Sequence, residues 1–98
     1  MKNINELQKI VKDRWSEYRF VDWAIMGLNS EAGEVADLFI KRKWRDKKVD
    51  LTSELGDVLH YLLAIAYLED IKLEDIVNNN VDKVLKRHPD SYNKEYEK

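Results

Sequence analysis

Cysteine is absent from this 98-residue chain, which excludes disulfide bonds and thiolate metal sites. Proline occurs once and glycine three times, so few breakers interrupt the apolar pattern and it can run in long helices. No apolar run approaches the roughly 18 residues needed to span a bilayer. The first six residues, Met1 to Glu6, carry no apolar core of a secretion signal. A cytoplasmic protein without a membrane partner is therefore expected. The net charge of −2 gives no global reason to bind polyanions, and nucleic acid is not expected as a partner.

Hydrophobic residues make up 44% and charged residues 37% of the chain, a balance that suits a helix-rich globular domain rather than a disordered one. The length allows one domain, residues 1–98, and a chain this short buries a limited share of its surface. Oligomerisation is a reasonable way to complete such a core.

Apolar residues at spacings of three and four mark four helices. The first runs from about Ile4 to Tyr18 through Leu7, Ile10, Val11 and Trp15. Arg19 to Asp22 break the phase, and Asp22 is a candidate cap for a second helix from Trp23 to Lys43. Gly27 and Gly33 lie inside that helix, each costing about 1 kcal/mol relative to alanine. At Gly33 this suggests the close approach of a helix or a ligand. Asp50 or Thr52 is expected to cap a third helix that ends near Glu69, and the fourth spans Leu73 to Arg87, where Pro89 stops it. Asp90 to Lys98 read as a loosely held tail. The pattern shows neither β-alternation nor a repeat, so the predicted fold is all-α, an antiparallel four-helix bundle.

Helix two carries Glu31-Ala-Gly-Glu34, two carboxylates three positions apart on one face. Like charges at that spacing repel, and a purely structural helix gains nothing by holding them together. Helix three repeats the arrangement as Glu54-Leu-Gly-Asp57, with Leu55 and Val58 placing the acids beside the core seam. If the two pairs converge, four hard oxygen donors suit Mg²⁺, or Mn²⁺ as a substitute. A single such pair is commonplace on a solvated helix. Two pairs of the same form embedded in apolar helix are harder to dismiss.

The order of these blocks resembles a known family. Glu31-Ala-Gly-Glu34-Val, then nineteen residues between Glu34 and Glu54, then Glu54-Leu-Gly-Asp57-Val-Leu-His-Tyr-Leu look like the E-x-x-E…E-x-x-D signature of MazG-like all-α nucleotide pyrophosphohydrolases. Asn80-Val-Asp-Lys83-Val-Leu-Lys-Arg87 looks like the N-x-x-K-x-x-x-R segment of that family's last helix. The similarity covers about residues 23 to 90 and is to the compact single-domain members. Ser30 departs from the pattern, standing where a further glutamate often precedes the first pair; this weakens the case for a second tightly held metal.

What the resemblance implies is hydrolysis of a nucleoside triphosphate between its α and β phosphates, in nucleotide-pool housecleaning. Glu31, Glu34, Glu54 and Asp57 would hold Mg²⁺. One glutamate would serve as general base, with Glu34 preferred and Glu31 also in the catalytic set. Lys83 and Arg87, four apart on one face, would clamp the phosphates with Asn80 one turn earlier. A homodimer or a dimer of dimers is implied as well.

Other residues stay ambiguous in the sequence. His60 follows Asp57 by three, as in di-iron bundles, but the second acid-x-x-His is missing because His88 abuts Pro89. His60 either lines a base pocket or packs; Tyr61, one turn after Asp57, is a pocket-wall candidate. Trp15, Tyr18, Phe20 and Trp23 serve core, dimer interface or, for Trp23, base stacking. The segment Lys41 to Lys48 holds six Lys or Arg in eight residues; it reads as a solvated loop that can attract a triphosphate, with Lys41 within possible reach. The non-enzymatic rival is a helical interaction or regulatory module in which the acids are only a surface patch.

Overall fold

Asn3 starts the first helix, its side-chain Oδ1 accepting the backbone N–H groups of Asn5 (3.0 Å) and Glu6 (3.2 Å) and so satisfying two of the helix's orphan donors. The computed structural model describes residues 2–17, 20–45 and 48–89. It forms α1 over Ile4–Trp15, α2 over Val21–Trp44, α3 over Thr52–Leu68 and α4 over Leu73–Arg87. Among the described residues the chain is all-helical, with four helices and no strand. Tyr18, Arg19, Asp46, Lys47 and the expected tail from Asp90 lie outside the described residues.

The helix boundaries differ from the periodicity in ways that local hydrogen bonding explains. α1 stops at Trp15, three residues before the expected Tyr18, where the Ser16 hydroxyl donates to the Asp13 carbonyl (3.2 Å) and competes with helix continuation. α2 begins at Val21, so Asp22 is an acid of the first turn and not the cap; it complements the positive end of the helix dipole there. The cap position of α3 is Leu51, so neither Asp50 nor Thr52 is the cap; Asp50 stands one residue earlier and its Oδ1 accepts the Thr52 backbone N–H at 2.8 Å. Hydrogen bonds from the Thr52 side chain and backbone hold the Asp50 carboxyl below its usual value. α3 ends in a Schellman motif, with Ile71 N–H bonded to the Ala66 carbonyl and Asp70 N–H to that of Tyr67. Asp70 takes the left-handed position this motif requires, with φ of 55°.

Val11, Trp15, Ala24, Leu63 and Ala64 form the buried core where α1, α2 and α3 meet. Leu7, Tyr61, Leu62, Ile65 and Leu68 close around it. α4 adds only Leu73 to this cluster and has no buried residue. Val77, Val81 and Val84 stay 43–50% exposed along α4, an apolar face that the described residues of the same chain leave uncovered. Phe39, Ile40, Leu55 and Leu59 on α2 and α3 are also exposed.

Candidate metal and nucleotide site

Helical spacing places Glu31 on α2 opposite Glu54 and Asp57 on the first half of α3. One carboxylate oxygen from each lies within 4.8 Å of the other two. Glu54 sits in the first turn of its helix, where the dipole offsets part of the mutual repulsion. Glu31 is half-buried. Its carboxyl is pushed above the ordinary glutamate value by burial first, then by the charges of Asp57, Glu54 and Glu34. Glu34 is exposed and stands outside the close group of three, although its charge reaches Glu31. The donor set is oxygen-only and made of carboxylates, which fits a hard divalent cation such as Mg²⁺ or Mn²⁺ and not a thiophilic one.

A wall of aromatic side chains begins one turn from the carboxylates. Gly27 precedes Glu31 by four residues and Tyr61 follows Asp57 by four. The Tyr61 ring lies directly on the Gly27 backbone, in the space a Cβ would take. It also meets Trp15 edge-on (5.9 Å between centroids) and His60 (5.7 Å). The close approach suggested for Gly33 is therefore found at Gly27; nothing comes within 4 Å of a Cβ built on Gly33 or Gly56.

His60 ties α1 to α3. Its Nε2 accepts the Trp15 indole N–H at 3.2 Å and lies 3.3 Å from Arg14 Nη1. With Nε2 an acceptor, the ring proton is on Nδ1. Burial and the nearby Arg14 charge push the His60 pKa below its ordinary value, with Asp57 opposing them. The ring packs against Trp15 and Tyr61, beside Arg14. Trp23 is 55% exposed and stacks at a tilt on Phe20 with centroids 4.8 Å apart.

The basic residues are distributed differently from the carboxylates. Lys83, Arg87 and Asn80 are exposed on α4, which is not packed along the acidic pair of helices. Lys41 pairs with Asp37 at 3.2 Å, one turn back on α2. Arg42 lies over the Phe39 ring and Lys43 over that of Trp44. A groove of about 660 Å³ opens at the far end of α3, between Gln8 and Lys12 of α1, Tyr67 of α3, Ile71 of the α3–α4 connection and Val77 of α4; none of the four carboxylates lines it. Sequence reasoning missed Arg14 and its link to His60, since α1 carries no motif and only the register of α1 on α3 brings them together.

Comparison with known proteins adds two findings. Residues 23–92 match the family described as the MazG nucleotide pyrophosphohydrolase domain. The chain is also similar to Gene 37 protein of Mycobacterium phage L5, at 35% identity over 75 residues, covering 68% of this chain and 65% of that protein. The chain thus spans about 65% of the length of the curated relative it matches. No solved structure matches it.

Proposed function

The chain belongs to the MazG nucleotide pyrophosphohydrolase domain family, and on that premise we propose that it hydrolyses nucleoside or deoxynucleoside triphosphates to the monophosphate and pyrophosphate. The observation that carries this reading is the convergence of Glu31, Glu54 and Asp57 from two helices to within 4.8 Å. Three carboxylates gathered so closely make a costly arrangement unless a cation balances them. Glu31, Glu54 and Asp57 would hold Mg²⁺, with Glu34 at the edge of the set. A divalent cation bound there supplies counter-charge to the phosphates and acidifies a coordinated water.

In the hydrolysis, a water oxygen bonds to the α phosphorus and the bond from that phosphorus to the bridging oxygen breaks. Pyrophosphate leaves with the bridging electron pair. Glu34, exposed and outside the close group, takes the proton of the attacking water. Tyr61 and His60 bound the space beyond Asp57, and Trp23 offers an exposed ring to a base. Lys83, Arg87 and Asn80 serve the phosphates when α4 is docked. We assign that docking to a second copy of the chain, because the Val77, Val81 and Val84 face needs cover. Two copies would complete the antiparallel bundle of a cytoplasmic housecleaning enzyme.

The test is pyrophosphate release from a panel of nucleoside triphosphates with and without Mg²⁺. Turnover that requires the metal, and falls at least about 100-fold in Glu31→Gln and Glu34→Gln, is the expected result. Well-folded protein that turns over no nucleotide would overturn the reading in favour of a helical interaction module.

A further inference from the structure

The carboxylate site needs cations for a triphosphate, and the cation that the core packing carries toward it is on α1. Arg14 precedes Trp15, the buried anchor of α1. Its guanidinium lies 3.3 Å from His60 Nε2, and His60 is one turn beyond Asp57 on α3. Side chains three apart on a helix are neighbours, so Arg14 and Asp57 flank the same imidazole; both charges act on it, in opposite directions.

The pairing of Arg14 is unusual for its surroundings. Six carboxylates lie on α2 and α3, with Asp13 and Glu17 close to it in the chain. Among the described residues the carboxylate ion pair within 4.0 Å is Lys41–Asp37, and Arg14 forms none. It is held instead by a neutral nitrogen lone pair, with the Trp15 ring 5.9 Å from its central carbon. The imidazole is fixed in turn, since the Trp15 indole donates to the same nitrogen and Tyr61 abuts the ring. An arginine fixed in this way keeps its full charge and four of its five N–H donors for an external anion. The guanidinium fork matches phosphate oxygens in shape.

We propose that Arg14 is a substrate-binding residue of this site, presenting its guanidinium to the phosphate chain of the nucleotide, and that His60 and Trp15 are the residues that position it. The proposal rests on the pyrophosphohydrolase reading for the identity of the ligand, and on the α1–α3 packing for the geometry. It makes α1 part of the site, although the sequence motifs all lie on the later helices.

Two measurements test it. The first is KM and kcat for Arg14→Ala, Arg14→Lys and His60→Phe with a nucleoside triphosphate and Mg²⁺. The second is calorimetric binding of inorganic triphosphate with Mg²⁺, which does not depend on turnover. Arg14→Ala is expected to raise KM and weaken triphosphate binding about tenfold, the loss of one charge-assisted contact at an exposed position, with kcat changed less than about threefold. Arg14→Lys should recover part of the loss. His60→Phe should weaken binding of inorganic triphosphate about threefold in the wild-type background and have no effect on it in the Arg14→Ala background, as expected if it acts on the phosphates through Arg14.

Unchanged KM and triphosphate affinity in an Arg14→Ala variant of native helicity would overturn the assignment. An equal His60→Phe effect in both backgrounds would overturn the positioning role. Wild-type protein that binds triphosphate without releasing pyrophosphate would remove the enzymatic reading and leave Arg14 to be judged by binding. Wild-type protein that binds no triphosphate would remove both.

Discussion

Replacing Gly27 with alanine sets two effects of known size against each other. Alanine in a helix interior is favoured over glycine by about 0.8–1 kcal/mol. At Gly27 the added methyl would sit inside the Tyr61 ring, with its Cζ only 2.7 Å away. The ring cannot swing out without cost, because Trp15 and His60 both meet it edge-on. Overpacking of this kind typically costs about 1–3 kcal/mol, so the net effect is a loss of about 0–2 kcal/mol. Gly33 and Gly56 provide the internal control. Both lie in helix interiors with open space at the Cβ position, so alanine there should return the full helix preference. Thermal unfolding followed by circular dichroism in dilute protein is the assay. For a domain of this size about 1 kcal/mol moves Tm by about 4–8 °C. Gly33→Ala and Gly56→Ala should melt above wild type, and Gly27→Ala at or below it. A Gly27→Ala protein that melts as high as Gly33→Ala would refute the packing of Tyr61 on α2, and with it the aromatic wall one turn from the carboxylates. Repeating the series in concentrated protein tests self-association as well: a second copy lying on α2 and α3 would turn the Gly33 and Gly56 gains into losses.

Two further outcomes follow from the local geometry. The His60 pKa is lowered in the folded chain, so its contribution to stability is fully present above the ordinary value of about 6.5 and is lost as pH falls below it, where the unfolded chain binds a proton that the folded one resists. Wild type should therefore lose Tm between about pH 6.5 and 5 more steeply than His60→Gln, and parallel curves would contradict the Trp15 hydrogen bond to a neutral imidazole. Asp70 holds a left-handed conformation at φ 55°, so Asp70→Gly should stabilise the protein by about 1 kcal/mol; chemical denaturation showing a loss instead would mean that the aspartate side chain itself supports the turn.

How much of this was legible in the sequence depended on the range of the interaction. Helix existence followed from apolar spacing, which is local, and all four helices lie where Leu7, Val11 and Trp15, or Leu62 and Leu63, put them. The convergence of Glu31 with Glu54 and Asp57 was legible for a related reason: two acids locked on one face by i, i+3 spacing, repeated on the next helix, leave little freedom once those helices pack. The end of α1 was not legible, since one hydroxyl, that of Ser16, decides it. Neither was the choice between Gly27 and Gly33 for the close approach, because both are glycines in one helix. Only the register of α2 on α3 selects the one that faces Tyr61.

The same register explains why Arg14 escaped notice while Lys83 and Arg87 drew it. The latter pair share a face at i, i+4 in a recognisable segment, yet α4 adds only Leu73 to the core, so spacing alone does not bring them to the carboxylates. Arg14 has no motif, but its neighbour Trp15 is buried. Burial of that ring fixes the rotation of α1, and the residue just before it in sequence is carried to His60 as a consequence. In a small helical domain a charged residue beside a buried aromatic anchor is therefore better placed by the core than a charged pair on an amphipathic helix whose apolar face still lacks a partner.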